Sequence, residues 1–138
     1  MSLCEKIGYE AFIFDAVDGS GTAIYHTNVI LSIGDGWAAV CSDFVKQKEM
    51  ILEKLENIGC KVFELDSEAV AAFSGNCFES KTDGDKNAFI ISKSGLDNLP
   101  TDFRQFVEAN LVICATDIPT IEKFGGGSAR CMVAGIYY

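Results

Sequence analysis

The chain lacks any apolar run near the eighteen or so residues of a membrane-spanning helix, and Met1-Ser2-Leu3-Cys4-Glu5-Lys6 at its N-terminus has no signal-peptide character. It reads as a cytoplasmic protein with no membrane partner. Positive charge is scarce: 11 Lys and Arg stand against 20 Asp and Glu, a net charge of -9. Nucleic acid and anionic membrane both need clustered basic residues, so a small molecule or another protein is the partner this balance favours. There is one histidine, and the six cysteines form no Cys-x-x-Cys pair. A tetrahedral zinc set is therefore absent, and neither metal nor cofactor is expected.

What the chain has is apolar content. Its 138 residues are 49% hydrophobic, enough to bury a core as a single domain over 1–138. Cys41 and Cys114 sit in strand-like company, Ala39-Val40-Cys41 and Val112-Ile113-Cys114, where cysteine behaves as a small hydrophobe. Three glycine-bearing turns, Gly19-Ser20-Gly21, Gly34-Asp35-Gly36 and Asp83-Gly84-Asp85, divide segments rich in Val, Ile and Phe into hairpins. Ser42 or Asp43 is placed to cap a helix presenting Phe44, Ile51, Leu55 and Ile58 on one face and stopping at Gly59. A strand follows at 61–65. Glu49, Glu53 and Glu56 read as the solvated face of that helix, Asp66-Ser67-Glu68 as a further helix cap, and Trp37 with the ten phenylalanines as core.

This order of elements then recurs. Asp66 and Asp117 are 51 residues apart, as are Phe73 and Phe124, and Phe103, Phe106 and Val107 after Pro100 supply the second copy's long helix. The fold class is α/β, built of repeated ββαβ units of which the chain holds about two and a half. Met132 to Tyr137 opens a further unit. Repeats of this kind bury their sheet faces against one another, so an exposed apolar flank is expected. That flank calls for a missing N-terminal half or for self-association.

Gly125-Gly126-Gly127-Ser128-Ala129-Arg130-Cys131-Met132 delivers an arginine and a cysteine from three glycines to what reads as a strand start. A thiol is nucleophilic only as thiolate, which needs nearby positive charge, open backbone amides or an imidazole. Arg130 and the glycines supply the first two. His26, in Tyr25-His26-Thr27-Asn28, is 105 positions upstream but reads as opening a strand at the equivalent end of another unit, so stacking would bring the two together.

These two segments, in this order, resemble the amidinotransferase or guanidine-modifying superfamily, the pentein β/α propellers, and most of all its citrulline-utilisation hydrolase branch. The likeness is to the C-terminal half of the family's usual length. It implies roughly half of a five-bladed propeller with the active site on the central axis. It also implies that Cys131 attacks the central carbon of a guanidino or ureido group while His26 serves as acid and then base. Asn28 stands where related members often carry an aspartate that holds a cationic guanidinium. An amide offers both donor and acceptor, which suits a neutral ureido group such as that of citrulline, although Asn28 also reads simply as a turn end. Arg130 is placed to lower the thiol pKa, to hold a substrate carboxylate, or to form an ordinary ion pair. Gly127 suits close substrate approach or a helix stop, and Asn76, at the repeat position matching the motif, reads as lining the same channel. Family enzymes also use a carboxylate from the first half, and no residue here takes that role. The chain alone is therefore expected to be weak or inactive. An amidinotransferase of the same superfamily and a non-catalytic interaction module are the alternatives.

Overall fold

The computed structural model describes residues 3–135; Met1 and Ser2, and residues 136–138 of the final apolar stretch, lie outside it. A short helix, α1 (Leu3–Ile7), precedes an irregular segment. Next, β1 (Leu31–Gly34) and β2 (Trp37–Val40) form an antiparallel hairpin, α2 (Lys48–Asn57) crosses over, β3 (Lys61–Glu64) runs parallel to β2, and α3 (Ser67–Ala71) follows. The plan repeats. Strand β4 (Phe78–Ser80) is antiparallel to β5 (Ala88–Ser92), helices α4 (Lys93–Asp97) and α5 (Thr101–Asn110) cross over, β6 (Val112–Thr116) is parallel to β5, and α6 (Pro119–Gly125) ends the unit.

The pairing register makes the repeat explicit. Trp37 pairs with Lys61 and Ala88 with Val112; Val40 pairs with Glu64 and Ile91 with Ala115. Both members of each pair have advanced by the 51 residues that separate Asp66 from Asp117. The hairpins differ in their loops, two residues at Asp35-Gly36 against the longer 81–87, which contains Asp83-Gly84-Asp85, and the first ladder pairs four positions where the second pairs three. Among the described residues the architecture is mixed α/β, with two three-stranded sheets and six helices. No described helix is long and apolar enough to cross a membrane.

Central strands β2 and β5 are largely buried, as their continuous apolar sequences require in a sheet covered on both faces. Each crossover helix presents two apolar residues four apart, Ile51 and Leu55 on α2 and Phe103 and Val107 on α5. Aromatic rings join the units. Trp37 lies 5.6 Å from Phe89 and 5.2 Å from Phe103, ring centroid to centroid, and Phe63 stacks on Phe103 at 4.7 Å.

Several local expectations change. The first glycine turn, Gly19–Gly21, closes a single bridge between Val17 and Ala23 in place of a ladder. Ser42–Phe44 form a 3-10 turn and α2 begins only at Lys48. The Ser42 hydroxyl is spent on the Glu64 carboxylate of the neighbouring strand, so it caps nothing, and Phe44 lies outside the helix. Ile58 is exposed at the helix end.

The two flanks are unequal. Phe63 in β3 is covered by α5 of the following unit, whereas its counterpart 51 residues on, Cys114 in β6, is exposed. The period also extends backward: Phe12 stands 51 residues before Phe63 and Asp15 the same distance before Asp66. Phe12 and Phe14 border an apolar groove of about 360 Å³ with Leu31, Ile51 and Leu55.

Candidate active site

Helix α6 starts at Pro119, whose fixed backbone suits a first turn, and ends at Gly126 in the left-handed conformation, φ 66°. The chain then enters a 3-10 turn, Ala129–Met132, which carries Arg130 and Cys131. The strand start expected at Cys131 is thus replaced by a helical turn. The same holds for His26, which N-caps the 3-10 turn Thr27–Val29, so that β1 begins five residues later at Leu31. The cause at His26 is visible: its Nδ1 accepts the Asn28 backbone N–H at 3.1 Å, holding the backbone in a turn.

These turns meet. Cys131 Sγ lies 3.2 Å from Asn76 Nδ2 and 3.5 Å from Asn28 Nδ2. The Tyr25 hydroxyl donates to the Gly126 carbonyl at 2.7 Å, tying the His26 segment to the cysteine loop. His26, Asn28 and Arg130 line one cleft of about 530 Å³ together with Phe78, Glu79 and Val133. Asn28 therefore links the imidazole to the sulfur, its N–H on His26 and its side chain on Cys131. The structure thus gathers His26, Asn28, Asn76, Arg130 and Cys131 at one place. Gly127 belongs there for a packing reason: a Cβ on it would come within 2.9 Å of Cys131 Sγ. Its missing side chain is space taken by the thiol.

Arg130 is exposed, with its guanidinium carbon 5.8 Å from the Phe78 ring centroid, and it makes no ion pair among the described residues. Asn28 Oδ1 is buried and has no hydrogen-bond partner among the described residues. With His26 Nδ1 occupied as an acceptor, the proton of the neutral ring resides on Nε2. Carrying a proton in either direction therefore requires the imidazole to release the Asn28 N–H.

The other cysteines divide by environment. Burial pushes the Cys77 thiol up to about 12, and raises Cys41 and Cys60 as well. These are inert. Cys114, expected among the apolar-packed cysteines, is instead exposed, because nothing described covers the outer side of β6. Among the described residues no cluster of His, Cys, Asp and Glu is arranged to hold a metal ion.

Three contributors escaped the sequence reading. Tyr25 has its tie to Gly126, Ser128 is fully buried, and Glu122 accepts hydrogen bonds from the hydroxyls of Ser94 and Ser128 at 2.7 Å. Desolvation pushes the Glu122 carboxyl up, but the hydroxyls of Ser92, Ser94 and Ser128 outweigh it and hold the group below the usual range. Only the position of Ser128 beside the glycine run and of Tyr25 beside His26 hinted at any of this.

The family model for N,N dimethylarginine dimethylhydrolase, eukaryotic, matches residues 1–138. The chain belongs to this family. It thereby falls within the pentein, guanidine-modifying superfamily that its motifs resemble. No curated protein sequence matches this dimethylarginine dimethylhydrolase family member. Among solved structures it is similar to ArgZ, an arginine dihydrolase from the ornithine-ammonia cycle in cyanobacteria, in its apo form, with a TM-score of 0.68 at 13% identity over 94% of this chain and 19% of that one. The N-terminal domain of ArgZ bound to product gives a TM-score of 0.66, again at 13% identity, over 94% of this chain and 43% of the domain. A variant of that domain covalently bound to a reaction intermediate gives 0.67 at the same identity and coverages. At such identity the likeness concerns the fold alone, and the chain spans less than half the length of each of these structures.

Proposed function

We propose that the chain carries the thiol-bearing part of a hydrolase that cleaves a C–N bond of guanidino or ureido compounds. The observation that supports this reading is the sulfur of Cys131, exposed in its residue yet held by two side-chain amides beside a cleft lined by His26 and Arg130. In the proposed reaction the Cys131 thiolate adds to the central carbon of the guanidino group and the C–N bond to the departing amine breaks. The amine leaves with a proton from the His26 imidazolium. Water, losing a proton to the same imidazole, then displaces sulfur, yielding a ureido product and the free thiolate. Asn28, neutral at a position beside the sulfur, keeps citrulline-type ureido substrates within the proposal. Arg130, which has no acid partner among the described residues, is available for a substrate carboxylate. The propeller arrangement suggested by the repeat would place this cleft on the axis. The exposed side of β6 would then meet further units, or a second copy, and the carboxylate implied by the resemblance would come from there.

A chloro-amidine, which presents an electrophilic carbon beside a guanidinium-like cation, tests the reading without demanding turnover. It should label Cys131 at least about tenfold faster than the exposed Cys114, and dimethylarginine, arginine or citrulline should protect Cys131 alone. Equal labelling of the two, with no protection by any of these compounds, overturns the proposal in favour of an interaction module. Turnover by the isolated chain is expected to be slow, because a missing orienting group costs orders of magnitude in rate. Enzyme-like rates with dimethylarginine or citrulline would refute that expectation.

A further inference from the structure

We infer that Asn76 is a fixed hydrogen-bond donor to the Cys131 sulfur and makes no contact with substrate. For function the inference rests on the reading of Cys131 as nucleophile, but its geometry stands independently. A side-chain amide has two N–H donors and one oxygen with two lone pairs. In Asn76 all four are spent. Its Oδ1 accepts the backbone N–H of Ser128 at 3.2 Å and of Arg130 at 3.1 Å; its Nδ2 donates to the Asn28 carbonyl at 3.0 Å and to Cys131 Sγ at 3.2 Å. Turning the amide over would set its nitrogen against two N–H groups and its oxygen against a carbonyl. Only one orientation satisfies the network, and in it an N–H faces the sulfur.

The backbone beneath is held as firmly. Asn76 is 2% exposed. The Ser32 hydroxyl lies 2.7 Å from the carbonyl oxygens of both Gly75 and Cys77, on either side of it. Gly75 passes so near the Val29 carbonyl that a Cβ would come within 2.6 Å of that oxygen. Asn28 differs. Its amide is 3.5 Å from Sγ and its Oδ1 has no partner among the described residues, so no bond described there fixes which end faces the thiol. Hydrogen bonds to a charged acceptor are worth about twice those to a neutral one, so a donor locked toward sulfur favours the thiolate and sets the direction of its lone pairs. The same amide grips both ends of Ser128-Ala129-Arg130, which places the turn that carries the nucleophile.

Asn76→Asp separates donation from support, because a carboxylate still accepts the Ser128 and Arg130 N–H groups yet offers the sulfur an anion. Alkylation by iodoacetamide at pH 7, followed peptide by peptide, should show the Cys131 rate relative to Cys114 falling at least about tenfold, the equilibrium worth of a hydrogen bond to a charged group. Buried Cys77 should remain protected, reporting an intact fold. An unchanged ratio with Cys77 protected overturns the inference. Should the variant expose Cys77, wild-type protein decides: capping Cys131 with a methylthio group should move the side-chain amide proton resonance of Asn76 and leave that of Asn87, which bonds to Glu79, in place. An unmoved Asn76 signal overturns the inference equally. Neither measurement depends on turnover, so a chain with an Asn76-governed thiol but no protection by guanidino or ureido compounds would sink only the functional proposal.

Discussion

At the scale of single residues, the proposed chemistry depends on which group faces one sulfur atom. Asn28 occupies a place where a carboxylate would be a like charge to the thiolate, and the two would be separated by about the 3.5 Å now seen to its amide nitrogen. Two such charges 4 Å apart repel by about 1 kcal/mol even at the dielectric of water, more when partly buried. Asn28→Asp is therefore expected to slow iodoacetamide labelling of Cys131 at pH 7 at least about fivefold, while Cys114 is unaffected; a faster Cys131 in that variant would contradict the arrangement. Cys131 itself was legible in the sequence because its setting is local: glycines before it, an arginine beside it. Asn76 was legible only as a repeat counterpart of the motif, since its bond to sulfur spans 55 residues and no spacing rule connects them. Tyr25, Ser128 and Glu122 carry common polar side chains whose partners are fixed by tertiary packing, so that even Tyr25 beside His26 and Ser128 beside the glycine run do not reveal their bonds.

At the scale of elements, α6 and the 3-10 turn behind it act as one piece because Glu122, on the helix, bonds to Ser128, at the head of the turn, and to Ser94 on α4. A carboxyl held below its ordinary value contributes stability that is fully present above the unfolded value and is lost as pH falls through the folded one. The urea midpoint should accordingly fall below about pH 4.5 more steeply in the wild type than in Glu122→Gln, which carries no such proton linkage. Parallel pH profiles for the two proteins would remove Glu122 from this role. The strands, long helices and period were readable because they express hydrophobic spacing, and the period reappears in the pairing register. The turns at His26 and Cys131 were misread as strand starts because the apolar residues downstream dominate the pattern. The conformation there is set instead by hydrogen bonds: the His26 ring on the Asn28 N–H, and the Asn76 amide on Ser128 and Arg130. Ser42 failed as a cap for a related reason, its hydroxyl having a carboxylate partner across the sheet.

For the molecule as a whole, the two units have no separate cores. Phe103 of the second unit touches Phe63 and Trp37 of the first as well as Phe89 of its own, and all four rings are fully buried. A repeat chain whose neighbouring faces interlock in this way unfolds as one body, because exposing either unit uncovers the aromatic surface of the other. Trp37, the sole tryptophan, sits at that junction and reports on it by fluorescence. Wild-type protein should therefore give one urea transition, seen at the same midpoint by tryptophan emission and by far-ultraviolet circular dichroism. Phe103→Ala should lower stability by about 3–5 kcal/mol, the usual cost of emptying an aromatic site in a core. Because a domain's whole margin is about 5–15 kcal/mol, the variant should be largely unfolded at modest urea and should lose both signals together. Two separated transitions, or a Phe103→Ala variant in which dichroism persists after Trp37 becomes exposed, would mean that the units fold independently, and the cleft between the His26 and Cys131 turns would then lack the rigid frame that fixes its sulfur.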